Sequence, residues 1–189
     1  MYGDSYANIN FLKTMPVTPF HLIAVTPIKA IAPRQFSWSV FALTNIVIDL
    51  EPISVFLITL EPRHLFFHTI IGASLVAAFC ATIGKGWCES AIKIWNEEIR
   101  AKPEERWLKS DPSISKFSAW FSALIGAWSH LLLDSFMNDD IRPLSPFTDA
   151  NILLGKVSIG ELHAICFTAG IVGILLLLFS RLNAKKRRY

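Results

Sequence analysis

Charge is scarce in this sequence. Asp, Glu, Lys and Arg make up 17% of its 189 residues, and 52% are hydrophobic. A soluble domain carries about 25% charged residues, so this composition points to a membrane. Cysteine is scarce as well. Cys80, Cys88 and Cys166 show no CxxC spacing, which gives no ground for a disulfide framework. Cys80 and Cys166 lie in apolar runs, where a buried free thiol is usual. There is no internal repeat and no low-complexity tract. "GKG" at 84–86 lacks the frame of a phosphate-binding loop. No Ser-His-Asp pattern is recognisable, because Ser129 and His130 are neighbours whose side chains diverge by about 100° on a helix. The opening "MYGDSYANINFLKTMP" has no basic stretch followed by an apolar core, so no cleavable signal peptide is evident.

Long apolar runs are what the chain does have. Residues 65–83, 117–133 and 164–180 read as spans, each near the 17–25 residues that cross a bilayer as a helix. Residues 36–60 are also long enough, but Asp49, Glu51 and Pro52 interrupt them. Proline tends to end a helix, so this segment predicts a helix over 36–49, a break at "DLEP" and a second short piece. Residues 18–32 form a shorter apolar segment. Thr18 is its expected cap, Pro19 its first turn, and Pro27 a kink or end. The pattern predicts one all-α membrane domain over 1–189, a helical bundle of four to five segments, some short or broken. Residues 84–116 hold seven Lys/Arg and six Asp/Glu and read as an amphipathic cytoplasmic loop. Ser122/Gly126 and Ala169/Gly173 are small-xxx-small pairs suited to close helix packing.

Orientation follows from the basic residues. The last nine, "RLNAKKRRY", hold five Lys/Arg and no acid. Such a cluster also suits nucleic acid, but after a membrane span it reads as a cytoplasmic anchor. No nucleic-acid partner is expected, and a homo-oligomer is left open. With the C-terminus inside, the span directions bring Asp49, Glu51, His64, His68, His130, Asp134, Asp139 and Asp140 to the outer face. His21 and His163 fall there too, so all five histidines gather at one end.

Ionisable groups near membrane depth are costly and tend to be functional. His64/His68 and His130/Asp134 are each four apart, which on a helix puts both side chains on one face. That spacing can offer two ligands to one metal ion. Asp49 and Glu51 at a broken helix end could turn toward the same centre. Imidazole with carboxylate suits zinc, manganese or iron, with one or two ions. A free carboxylate, Glu51 or Asp139, could act as general base. Arg63 or Arg142 could hold a phosphate.

Several stretches also carry a family likeness. His21 lies in "TPFHL", Asp49 in "IDLEP", His64 and His68 in "RHLFFHT", and His130 and Asp134 in "SHLLLD", followed by "RPLSPF" at 142–147. In this order they resemble the membrane-bound, metal-dependent hydrolases described as inner membrane-associated hydrolases. Glu51 stands where that family often has a second Asp, no His follows it, and "RHLFFHT" lacks the family's "HRG" order. The resemblance implies metal ligation by Asp49, His64, His68, His130 and Asp134, with Glu51 and His21 beside them. Through a distant likeness to zinc-dependent phospholipases C, it also implies phosphoester hydrolysis at a bacterial or archaeal cell membrane. The substrate expected at such a site is a lipid or lipid-linked phosphoester.

Two other readings of the residues stand beside the hydrolase. In one, the His/Asp set is a structural metal or hydrogen-bond clasp in a non-enzymatic membrane protein, whose cytoplasmic loop docks a partner. In the other, the break at "DLEP" serves an ion or proton transporter, though no repeat accompanies it.

Overall fold

The computed structural model describes residues 19–61, 63–100 and 102–186. Thr18 and the N-terminal polar stretch lie outside the described residues. Among those described, every regular element is helical, as the apolar runs of span length predict. The order is α1 (Pro19–Ala24), α2 (Thr26–Ile31), α3 (Trp38–Thr59), α4 (Ile70–Phe79), α5 (Lys85–Arg100), α6 (Lys116–Met137) and α7 (Ile159–Lys186). A π turn at Cys80–Gly84 joins α4 to α5, and a 3-10 turn at Pro103–Leu108 follows α5.

Among the described residues, three helical stretches are long and apolar enough to cross a membrane: Trp38–Thr59, Ile70–Arg100 and Ile159–Ser180. The α6 helix has 22 residues, as many as α3, but it turns its polar residues into the bundle. The His21–Ile31 segment is apolar and short, well under the ~20 residues of a full span. The chain breaks at Val25, and Pro27 sits in the first turn of α2, where its missing amide costs nothing.

Three expectations change. First, α3 runs unbroken through "DLEP", with Pro52 buried inside it. One proline removes one amide, a loss that membrane helices absorb when neighbours satisfy the freed groups. Asp49 and Glu51 reach their partners sideways from mid-helix, so no break is needed to aim them. Second, His64 and His68 are not on a helix. Glu51 accepts the backbone N–H groups of Leu65 (2.9 Å) and Phe67 (2.8 Å). Thr69 then caps α4, its hydroxyl accepting from the Gly72 amide at 3.0 Å. The helix therefore starts at Ile70 and not at 65. Third, α5, the amphipathic part of 84–116, continues the preceding span through the π turn. Asn96 pairs with the Ser110 backbone (2.7 and 3.2 Å), and Glu89 accepts from the Ile114 amide at 2.9 Å. Those bonds fold the return segment against α5.

One ladder on α6 organises the bundle. Ser118, Ser122, Gly126, His130 and Asp134 recur every four residues and are all buried or without a side chain. Such a row forms one ridge of the helix. Its small lower members let α3 approach: Ser122 Oγ accepts from the Ser37 amide at 2.7 Å, and a Cβ on Gly126 would stand 3.2–3.3 Å from Thr44, Asn45 and Phe41. The neighbouring row, Ala119, Ala123 and Ala127, packs with Ala73, Val76, Ala77 and Cys80 of the α4 side. A second close approach joins α7 to the first two helices. A Cβ on Gly170 would collide with Ile23, and one on Gly173 with Thr26. Thr26 Oγ1 also reaches the Gly170 carbonyl at 3.2 Å. Both small-residue pairs thus mark real contacts, with Gly170 added to the second.

These contacts set the directions. The α3 and α6 helices run alongside each other, from Ser37–Ser122 up to Asp49–His130. The α4 helix returns, so that Gly84 comes to rest against Leu43. At the far end from the histidines, Lys29 Nζ donates to the carbonyls of Pro33 and Phe36 at 2.7 Å each.

Filling the contact on the ladder tests this packing. Gly126→Leu is expected to destabilise the protein by about 1–3 kcal/mol through overpacking. Gly86→Ala, in open space on α5, is expected to be neutral or mildly stabilising. Thermal unfolding in detergent reads both, and equal melting temperatures for wild type and Gly126→Leu would contradict the ladder.

Candidate metal centre

Four chain segments deliver the site. The α6 helix supplies His130 and Asp134 one turn apart, with His130 Nε2 3.3 Å from Asp134 Oδ2. The α3 helix supplies Asp49, whose Oδ1 lies 3.1 Å from His130 Nε2. The turn before α4 supplies His68, with Nε2 3.7 Å from Asp134 Oδ2. The α1 helix supplies His21, with Nε2 3.2 Å from Asp134 Oδ1. The imidazoles also pack on one another: His21 and His130 centroids are 4.5 Å apart, and His68 and His130 5.6 Å apart.

One atom from each of Asp49, His68, His130 and Asp134 lies within 4.8 Å of the others. Metal–ligand bonds of about 2.0–2.2 Å in a tetrahedron need ligand atoms roughly 3.4 Å apart. The three short approaches of this group, 3.1, 3.3 and 3.7 Å, bracket that edge. Burial sharpens the fit. Among the described residues, His68 Nε2, His130 Nε2, Asp134 Oδ1 and His21 Nδ1 are buried and make no hydrogen bond. Orphaned polar atoms are rare in folded proteins. Two nitrogens converging on carboxylates without hydrogen-bond geometry are what a cation between them would explain. The donor set of imidazoles and carboxylates suits zinc, manganese or iron.

The remaining expected residues divide. Glu51 holds His68, with Oε2 3.1 Å from Nδ1, while both of its oxygens accept backbone N–H groups. It is therefore engaged, not a free carboxylate. His64 pairs with Asp140, with Nδ1 2.9 Å from Oδ1, and its amide donates to Asp140 Oδ2 at 2.8 Å. His64 stays beside the centre through a 4.4 Å contact with the His68 ring, but it is not in the four-atom group, and neither is His21. Asp139 is exposed; its neighbour Asp140 is the residue that reaches His64. Arg63 pairs with Glu61 at 3.1 Å on the surface. Arg142 Nη1 donates to the carbonyls of Asp139 (2.5 Å) and Ile141 (3.0 Å). His163 is half-buried in the first turns of α7, outside the group.

Sequence reasoning missed Asn45 and gave Asp140 a place at the outer face but no role. Asn45 Oδ1 accepts from His130 Nδ1 across 3.0 Å, fully buried. It stands four before Asp49, on the same face of α3, and a buried amide in an apolar span was the available signal. Asp140 lay in the acidic "NDD" loop, where nothing in the spacing set it apart from Asp139.

Only α3 departs from the row of helix ends expected. The centre lies near the end of α6 and just before α4 begins, but midway along α3. Residues 50–59 carry α3 on past it for about 15 Å at the helical rise. Leu57, Ile58 and Leu60 are exposed on that projection. The centre therefore sits beside the end of α6 and the start of α4, with α3 continuing past it.

Residues 24–188 match the family described as YdjM inner membrane protein. No curated protein and no solved structure matches the chain.

The loop pair gives a pH expectation. Burial pushes the Asp140 carboxyl up, but hydrogen bonds from the His64 ring and amide outweigh it, and the net value lies below the ordinary one. A carboxylate depressed by folding stabilises above its unfolded pKa, near 3.9, and that contribution is lost as pH falls through the folded value. Asp140→Asn should therefore flatten the fall in melting temperature between about pH 5 and pH 3. Parallel acid slopes for the two proteins would contradict the pairing.

Proposed function

The chain belongs to the YdjM inner membrane protein family, and from that premise we propose that it is a metal-dependent hydrolase acting on a phosphoester of a lipid or lipid-linked substrate. The observation that carries this reading is the convergence of Asp49, His68, His130 and Asp134 with their buried, unanswered nitrogens and oxygen. A divalent ion held there, zinc first and manganese or iron next, would supply Lewis acidity and a water of lowered pKa.

The chain's own residues supply the rest. His130 and Asp134 fix the centre from within, at 0% and 1% exposure. Asp49 is the most accessible of the four, with a side chain 19% exposed, and so marks the side open to a substrate. Of the bases expected, Glu51 is occupied by three donors. Asp139 stands on the loop and the His64–Asp140 pair stands beside His68, and that pair is the group placed to move a proton. Arg63 and Arg142 lie on the exposed segments that flank His64 and Asp140, where a guanidinium can meet a phosphate. The exposed apolar length of α3 beyond the centre favours a substrate that reaches it from lipid. The basic C-terminal tail favours a cytoplasmic C-terminus and an outward-facing centre.

The burial of three of the four donors favours a second reading, a structural clasp without chemistry. Purified protein separates the two. The hydrolase reading expects a bound divalent ion, chelator-sensitive hydrolysis of a lipid phosphoester in mixed micelles, and loss of both in His68→Ala and Asp134→Ala. A bound ion without hydrolysis across such substrates would leave the clasp. Absence of a bound ion, with unchanged stability in both variants, would sink both.

A further inference from the structure

Each histidine in the four-atom group has one nitrogen turned to the cluster and the other held by a residue outside it. For His130 the holder is Asn45, whose Oδ1 lies 3.0 Å from Nδ1 in full burial. The amide cannot be turned over freely, because its Nδ2 donates to the Phe41 carbonyl at 2.8 Å. Oδ1 therefore faces the ring, and a carbonyl oxygen only accepts. The proton must be on Nδ1. For His68 the holder is Glu51, with Oε2 3.1 Å from Nδ1. Its carboxylate already accepts two backbone N–H groups and offers no hydrogen of its own, so Nδ1 donates again.

A neutral imidazole protonated at Nδ1 carries its lone pair on Nε2. His68 Nε2 and His130 Nε2 are two of the buried atoms that make no hydrogen bond among the described residues. Both approach Asp134 Oδ2, at 3.7 and 3.3 Å. Lone pairs facing a carboxylate repel it unless a metal ion or an added ring proton lies between them.

Resting on the metal-centre reading above, we infer that Asn45 and Glu51 are positioning residues that hold His130 and His68 as Nδ1–H tautomers and so aim both Nε2 lone pairs at one shared cation. Outer partners of this kind fix the ring orientation and tautomer of ligating histidines, and their loss typically costs about 10–100-fold in metal affinity. Asn45 serves this role from the face of α3 that also bears Asp49, so one helix delivers a ligand and the support for another. Glu51 does the same for the turn before α4, and its two backbone bonds hold that turn in the shape that carries His68.

The test uses full-length protein in detergent micelles with Zn2+ as the probe. Zinc affinity is read by chelator competition, and histidine tautomers by 15N NMR of histidine-labelled protein. Zinc-loaded wild type should show His68 and His130 protonated at Nδ1 and shifted at Nε2. Asn45→Leu, which removes the acceptor at similar size, should lose about 10–100-fold in zinc affinity. Asn45→Asp, which keeps an acceptor, should retain affinity and the same tautomer, and it covers the case in which the leucine variant fails to fold. Glu51→Gln should weaken binding by about tenfold at the low end of that range. Wild type that binds zinc with either ring protonated at Nε2 would overturn the inference while leaving the metal centre intact. So would Asn45→Leu with wild-type affinity. Wild type that binds no zinc would overturn the metal centre itself and the inference with it.

Discussion

Asp134 is a carboxylate at 1% exposure inside an apolar bundle, and much of the molecule is arranged around that fact. A buried charge is costly unless paired or bound to metal. Three histidines from three segments close on it: His21 of α1 at 3.2 Å, His130 of α6 at 3.3 Å and His68 of the turn before α4 at 3.7 Å. None could do so if the helices were held apart by ordinary side chains. The serines and glycine below His130 on α6 let α3 close in, and Gly170 and Gly173 let α1 and α2 lie against α7. Packing and polarity are thus two ends of one feature. The row that begins with Ser118 as spacer ends with His130 and Asp134 as candidate ligands.

Much of this was legible in the sequence, for a physical reason. Apolar runs of span length are the strongest signal a chain carries, so the all-α membrane bundle followed from them. Span counting then brought Asp49, His68, His130 and Asp134 to one end, and those four are the residues that converge. His130 and Asp134 were placed correctly because they do sit four apart on a helix. His64 and His68 reached the right neighbourhood for a different reason, since a turn pinned by Glu51 holds them and no helix does. The break at "DLEP" rested on proline's local penalty, which tertiary surroundings overrode. The support of His130 by Asn45 was hidden because a single amide in an apolar run does not announce which way it faces. The choice of Asp140 over Asp139 depended on loop geometry that spacing does not encode.

The depth of the centre bears on what it could serve. An aqueous substrate would meet it most readily at a row of helix ends. Here α3 continues past Asp49 with Leu57, Ile58 and Leu60 exposed, so apolar surface flanks the approach on that side. That setting accords with an inner membrane protein family and with chemistry on a lipid-borne group. It also explains why the supports of the histidines are built from within the span, where water cannot stand in for a missing partner.

The central claim is that two imidazoles and two carboxylates share one cation. X-ray absorption at the metal edge of the purified, zinc-loaded protein tests it most directly. The account predicts a shell of nitrogen and oxygen at about 2.0–2.2 Å with the outer scattering of two imidazole rings and no sulfur. A shell with sulfur near 2.3 Å, or one made of oxygen alone without imidazole scattering, would contradict it.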